Sequence, residues 1–425
     1  MTDNSVLQAR ARFWKVAGVS IAALFVLSTA GTNLNARHEE TFVANDLGTL
    51  GGDRVTCPQC VSEAFAVNDK GRVVGRSMIK DEPADVFHAF VWSADTGMVD
   101  LGTLQKGTQS TASLISHNGV VAGFGFLDEN NDAAHAFVRT HATGVVELAL
   151  PGGCHSGPSA INAKGDVVGF SDSATNPTHA FLWTREHGIV DLGTLFPASA
   201  TATSTANAIS DNGIVVGQST NKDNLPHAFM WTHHEGMVDL GTLPGGLNST
   251  ANGVNNDGVI VGTSDTATIG ESHAFVWTRR TGMVDIGKDG FTSFGEQING
   301  RFVIGQLSPT GSITKHGFAW TRKSGLFEIA RPDGGFSRAS AVNDAGVVVG
   351  NFSIGDIVRA FMWSASSGGP VVPLESDDGS SQANAINGDF IVGSSCEAGD
   401  AVCRARLWKP SSHSRHQQGD DDDQD

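Results

Sequence analysis

Tyrosine is absent from the 425 residues, and positive charge and cysteine are scarce. Twenty-eight Lys and Arg stand against 45 Asp and Glu, a formal net charge of −17. That deficit argues against a nucleic-acid binder, which needs a basic face. Charged residues make up only 17% and apolar residues 40%, so neither a charge-rich disordered chain nor a membrane bundle fits. Catalytic signatures are missing as well. The chain has no Gly-x-Ser-x-Gly elbow, no His-Glu-x-x-His zinc motif and no Gly-x-x-x-x-Gly-Lys phosphate loop. No pattern in the chain accounts for the missing tyrosine.

What is abundant is glycine, 52 residues against the ~7% of an average chain, without a collagen period. The excess predicts many turns and therefore many short strands. Length alone would suggest about three domains. The internal pattern replaces that estimate.

The two ends stand apart from the pattern. Arg10, Arg12 and Lys15 precede an uncharged run over residues 16–30, which predicts a secretory signal over 1–30 and a linker over 31–41. An uncleaved anchor is the alternative, and only then would the chain meet a membrane. At the other end, residues 410–425 close on Asp420 to Asp423 and Asp425 with nothing apolar to bury, which predicts a disordered acidic tail.

Between them lies a repeat. His-Ala-Phe-x-Trp starts at His88, His135, His179, His227 and His273, with variants at His316, Arg359 and Arg404. A Val-Val-Gly-like segment ends at Gly75, Gly123, Gly169, Gly217, Gly262, Gly305, Gly350 and Gly393. Asp-Leu-Gly-Thr-Leu starts at Asp46, Asp100, Asp191 and Asp239, with degraded copies from Glu147, Asp285, Glu328 and Pro373. Three signatures occur eight times each at a common period.

Each unit resolves into four strands, in the first copy 62–68, 72–77, 87–93 and 98–104. Asn68-Asp69-Lys70-Gly71 and Ala94-Asp95-Thr96-Gly97 supply the tight turns, because Asn or Asp with Gly tolerates positive φ. Four strands in roughly 45 residues is the period of a β-propeller blade. The eighth unit lacks a fourth strand, whereas a strand of that type stands at 42–50, ahead of the first unit. The expected fold is therefore all-β: an eight-bladed β-propeller over 42–409, closed by its N-terminal strand. Seven blades or a β-solenoid are the alternatives.

These motifs resemble the HAF family of probable extracellular repeat proteins, named for the His-Ala-Phe signature, over nearly the whole of 42–409. The resemblance implies secretion and a propeller-like repeat, and it implies no catalytic residues. The chain departs from the pattern at Arg139, where Trp is expected, and at Arg359 and Arg404, where His is expected.

The repeated His88, His135, His179, His227, His273 and His316 invite a metal ring. Each lies on the third strand of its own blade, away from the axis, so a blade-internal hydrogen-bond network is expected, with Asp on the fourth strand or Ser after Val-Val-Gly. Trp92, Trp183, Trp231, Trp277, Trp320, Trp363 and Trp408 are expected to pack the blades. Among the five cysteines, Cys57, Cys60, Cys396 and Cys403 all fall near the ring closure. Disulfides are expected, Cys396–Cys403 being the simplest, with a four-Cys zinc site as the rival and Cys154 free.

Loops opposite the tight turns carry Asp81, Glu82, Asp85, Asp128, Glu129 and Asp132, then Asp223, Asp265, Glu271 and Asp356. They are weak candidates for Ca²⁺, with plain solubility as the bland alternative. The expected function is a secreted, periplasmic or cell-surface scaffold for a protein or glycan, monomeric and not an enzyme. The alternative is a metal-dependent hydrolase or lyase using those acidic loops.

Overall fold

Every unit begins where Asn and Gly reverse the chain. Asn68 Oδ1 accepts the amides of Lys70 at 3.1 Å and Arg72 at 3.0 Å, and Gly71 adopts φ of +70°. The reversal sets Ser62–Val67 antiparallel to Val73–Met78; Phe87–Ser93 and Gly97–Asp100 complete the blade in that order. The fourth strand stops at Asp100 rather than running to 104. Gly102, at φ of +71°, turns the chain out towards the next blade.

The computed structural model describes residues 42–51, 61–79, 86–128, 133–140, 142–172, 177–329, 335–365, 370–374, 379–397 and 402–410. The expected signal and linker lie outside these, as do residues 411–425 of the expected tail and Cys57, Cys60, Asp81, Glu82, Asp85, Glu129 and Asp132, whereas Pro410 ends the last strand. No helix among the described residues is long and apolar enough to cross a membrane.

Eight four-stranded antiparallel sheets form a ring, an eight-bladed propeller. Blades two to seven occupy 110–148, 156–191, 204–239, 249–285, 291–329 and 337–373. The eighth sheet joins both ends of the chain. Phe42–Asp46 pairs with Cys403–Pro410, beside Phe390–Cys396 and Ser381–Asn387, with Asp46 opposite Arg406. The N-terminal strand thus closes the ring and leaves no incomplete blade.

The three repeated signatures now have physical causes. In every blade the first strand bulges, as between Ala64 and Ala66, and the Val-Val-Gly glycine packs against that irregularity. A Cβ on Gly75 would sit 1.9 Å from the carbonyl oxygen of Glu63, and all eight copies show the same approach within 2.0 Å. Only glycine fits there. The Ala and Phe of His-Ala-Phe are core: Phe90, Phe181, Phe229, Phe275, Phe318 and Phe361 are fully buried. Apolar clusters span neighbouring blades, one joining Ala64, Val73 and Phe90 of blade one to Val392, Ala405 and Leu407 of blade eight.

Asp-Leu-Gly-Thr-Leu makes the crossing. Asp100 Oδ1 accepts the Gly102 amide at 2.7 Å, and the Leu101 amide donates to Ala89 O at 2.9 Å. The first-strand serine of the following blade then locks the junction. Ser110 Oγ accepts the Ala89 amide at 2.8 Å and donates to Gly102 O. A serine accepts the corresponding third-strand amide at all eight junctions.

Candidate functional site

The conserved geometry of the repeated histidines ties each to its own blade. Nδ1 of His88, His179, His227 and His273 lies 2.7 to 2.9 Å from a carboxylate oxygen of Asp100, Asp191, Asp239 and Asp285, twelve residues on. Glu147 and Glu328 take that place for His135 and His316. The serine after Val-Val-Gly has another task. Ser219 Oγ accepts the Leu195 amide at 2.9 Å, fixing the incoming crossing. Where histidine gives way to Arg359, the fourth-strand position is Pro373, and Nη1 of Arg359 donates to Gly379 O at 2.8 Å. Arg404 is buried on the third strand of blade eight, whose Arg406 reaches Asp46.

His273 differs from the others. Its Nε2 also lies 3.2 Å from Glu271 Oε1, and that oxygen accepts the Gly290 amide at 2.8 Å. Burial disfavours a charged imidazole, yet Asp285 and then Glu271 outweigh it and raise the pKa. The hydrogen bond from His273 lowers the Glu271 carboxyl in turn, against the effect of burial.

Of the acidic candidates on the variable loops, Asp128 is described and makes contacts of its own. Asp265 accepts from Asn248 Nδ2 and Ser272 Oγ, and Glu271 is committed to His273. Among the described residues, no three His, Cys, Asp or Glu side chains gather as a cation site. Cys396 and Cys403 are disulfide-bonded across paired strands, and Cys154 is free and exposed.

The turn face is more structured chemically. Between blades three and four lies a groove of about 540 Å³, floored by the half-buried Trp231 and flanked by Asp166 and His187. The turn His233-His234-Glu235 and Arg279 of blade five also line it. The rings step outward edge to face: Trp231 to His233 at 6.5 Å between centroids, then His233 to His234 at 6.1 Å. Nη2 of Arg279 donates to Glu235 Oε2, and this bond holds the Glu235 carboxyl below the usual carboxylate range. The groove thus combines an ionised carboxylate, three imidazoles and an indole.

Sequence reasoning placed Trp231 in the blade packing and missed the rest. The signal was the third-to-fourth-strand turn, plain Ala94-Asp95-Thr96 in blade one but His233-His234-Glu235 in blade four.

No family model and no curated protein matches the chain. Solved structures do. The chain is similar to a structure from a study of two prolyl endopeptidases, at 12% identity and a TM-score of 0.52, over 79% of this chain and 51% of that one. It is similar to a puromycin hydrolase at 12% identity and a TM-score of 0.45, over 78% of this chain and 58% of that one. An oligogalacturonate lyase in complex with manganese matches at 10% identity and a TM-score of 0.45, over 88% and 97%. The chain spans only about half to three fifths of those hydrolase and peptidase chains. At these identities the likeness shows the fold. It also corrects the expectation of a non-enzymatic scaffold: a similar fold makes up part of the prolyl endopeptidase structure, so the fold and the missing motifs give no ground for excluding catalysis.

Proposed function

We propose that the chain acts in the hydrolytic or lytic breakdown of a substrate that lies in the groove between blades three and four. The observation that carries this reading is the Trp231–His233–His234–Glu235 wall, with Glu235 held ionised by Arg279. Hydrolysis and elimination both need a group that exchanges protons near neutral pH, and imidazole is the usual one. His233 or His234 moves the proton; Glu235 stabilises the positive charge that develops on the imidazole. The half-buried face of Trp231 orients the substrate. The Cys396–Cys403 disulfide supports work in an oxidising compartment outside the cytosol.

The peptidases named above extend well beyond the length matched here, so their substrates do not transfer. The test is an assay of the full chain on prolyl peptides, chromogenic esters, glycosides and polysaccharides, with Ca²⁺, Mn²⁺ or chelator. Turnover that falls at least about a hundredfold in H233A/H234A or E235Q supports the reading. No turnover across the panel, or turnover indifferent to these substitutions, overturns it.

A further inference from the structure

The turn face holds a second pocket one blade away. It is about 360 Å³, lined by Arg72, Asn118, Gly119, Val120, Thr140 and Arg185. Its polar groups are unequally committed. Asn118 spends its amide, donating to Lys164 O at 2.9 Å and accepting from Ser116 Oγ. Thr140 Oγ1 is bonded to Thr143. Arg72 and Arg185 are different: among the described residues, neither guanidinium has an ion pair.

Arg76, Arg279 and Arg406 each have a carboxylate, from Glu63, Glu235 and Asp46. Arg72 and Arg185 line the same cavity and bring two positive charges together there. Guanidinium forks match carboxylates in a planar, bidentate geometry.

The pocket also adjoins the groove through one turn. Arg185 and His187 belong to one turn of blade three; the first lines the pocket and the second lines the groove. An extended ligand crossing this turn would place one negative group between the arginines. Its next units would lie along Trp231 and His233.

We propose that Arg72 and Arg185 form an anion subsite for an acidic polysaccharide, a polymer of uronate units, which continues into the groove. A uronate chain supplies what both halves recognise, a carboxylate for the arginine pair and a flat sugar face for the indole. This inference rests on the groove being the working site.

The test is binding of the full chain to polygalacturonate, with dextran as the neutral polymer and poly-glutamate as the acidic peptide. Polygalacturonate should bind and weaken as salt rises. In R72Q/R185Q its affinity should fall about tenfold or more, with an unchanged melting temperature because both side chains are exposed. Unchanged affinity in the double variant overturns the proposal. So does absence of binding, equal binding of dextran, or tighter binding of poly-glutamate. Turnover of neutral substrates without polyuronate binding would overturn this subsite and leave the enzymatic reading standing. Polyuronate binding lost in the double variant, without turnover of anything, would do the reverse.

Discussion

Ser62 Oγ accepts the amide hydrogen of Ala405 at 2.9 Å, although the two residues stand 343 positions apart. The same oxygen donates to Gly48 O at 2.7 Å. This is the Ser110–Ala89 junction repeated between blade eight and blade one, where the third and fourth strands of the outgoing blade are paired but come from distant parts of the sequence. Asn384 Nδ2 adds a bond to Ala64 O at 2.8 Å across the same seam. The closing junction therefore uses the chemistry of the other seven. It differs in one respect: its fourth strand arrives from the opposite end of the chain.

Removing residues 42–50 should destabilise the whole ring, not only blade eight. The deletion exposes the edge of Cys403–Pro410, uncovers Trp408, and strips Arg406 of Asp46. Large loss of stability and a tendency to associate through the open edge are expected. Thermal melting followed by sedimentation would check both, and an unchanged melt would refute strand closure.

A single junction serine can be tested without touching closure. Ser204 is almost fully buried; its Oγ accepts the Ala180 amide at 2.8 Å and donates to Gly193 O at 2.6 Å. Ser204→Ala leaves a buried donor and a part-buried acceptor unpaired, which costs about 1–3 kcal/mol. The urea midpoint should drop while the slope of the transition stays the same.

The blade count and the closing strand were legible because their causes are local and repeated. Gly75 and its seven equivalents mark a steric necessity, and Asn68 with Gly71 marks a turn. The blade-internal pairing of His88 with Asp100 could be anticipated from strand position. The junction serines were not, since a serine near the start of a strand carries no distinctive pattern until the neighbouring blade is placed beside it. The groove was hidden for a related reason. His187, His233 and Arg279 belong to three different blades, and each alone reads as a solvated turn residue.

Two glycines separate space from conformation. A Cβ at Gly217 would lie 2.0 Å from the carbonyl oxygen of Thr205, a backbone atom with nowhere to go. Gly102 has φ of +71° and open space around it. Gly102→Ala should cost about 1–2 kcal/mol, the left-handed penalty alone. Gly217→Ala forces the bulge apart and should cost clearly more, up to about 3 kcal/mol or failure to fold. Equal destabilisation of the two would refute the close-approach explanation of Val-Val-Gly.

The Cys396–Cys403 disulfide closes a short loop, seven residues apart in sequence. Chain entropy for a loop of that size amounts to about 2–3 kcal/mol. C396S/C403S should lower stability by no more than that and leave the blade-eight pairing intact. A reductant titration of the unmodified chain should reproduce the shift; no response to reductant would show that this bond contributes nothing.

His273 should give the stability of blade five a pH dependence. Its pKa in the fold is raised, despite burial, by Asp285 and Glu271, whereas the unfolded value is near 6.5. A group raised on folding binds protons more tightly in the native state. Its contribution is complete below about pH 6.5 and is lost as the pH climbs through the higher folded value. Glu271, lowered by the bond from His273, acts in the opposite sense: its contribution is present above the ordinary carboxylate range and is lost on acidification through its folded value. In His273→Gln the neutral amide still fills the site but cannot titrate. The stability gap between the native chain and this variant should therefore narrow as the pH rises from about 6.5 through the raised folded value, measured by urea unfolding at each pH. A gap that stays constant across that window would mean that His273 is held neutral, and that Glu271 and Asp285 grip it by hydrogen bonding alone.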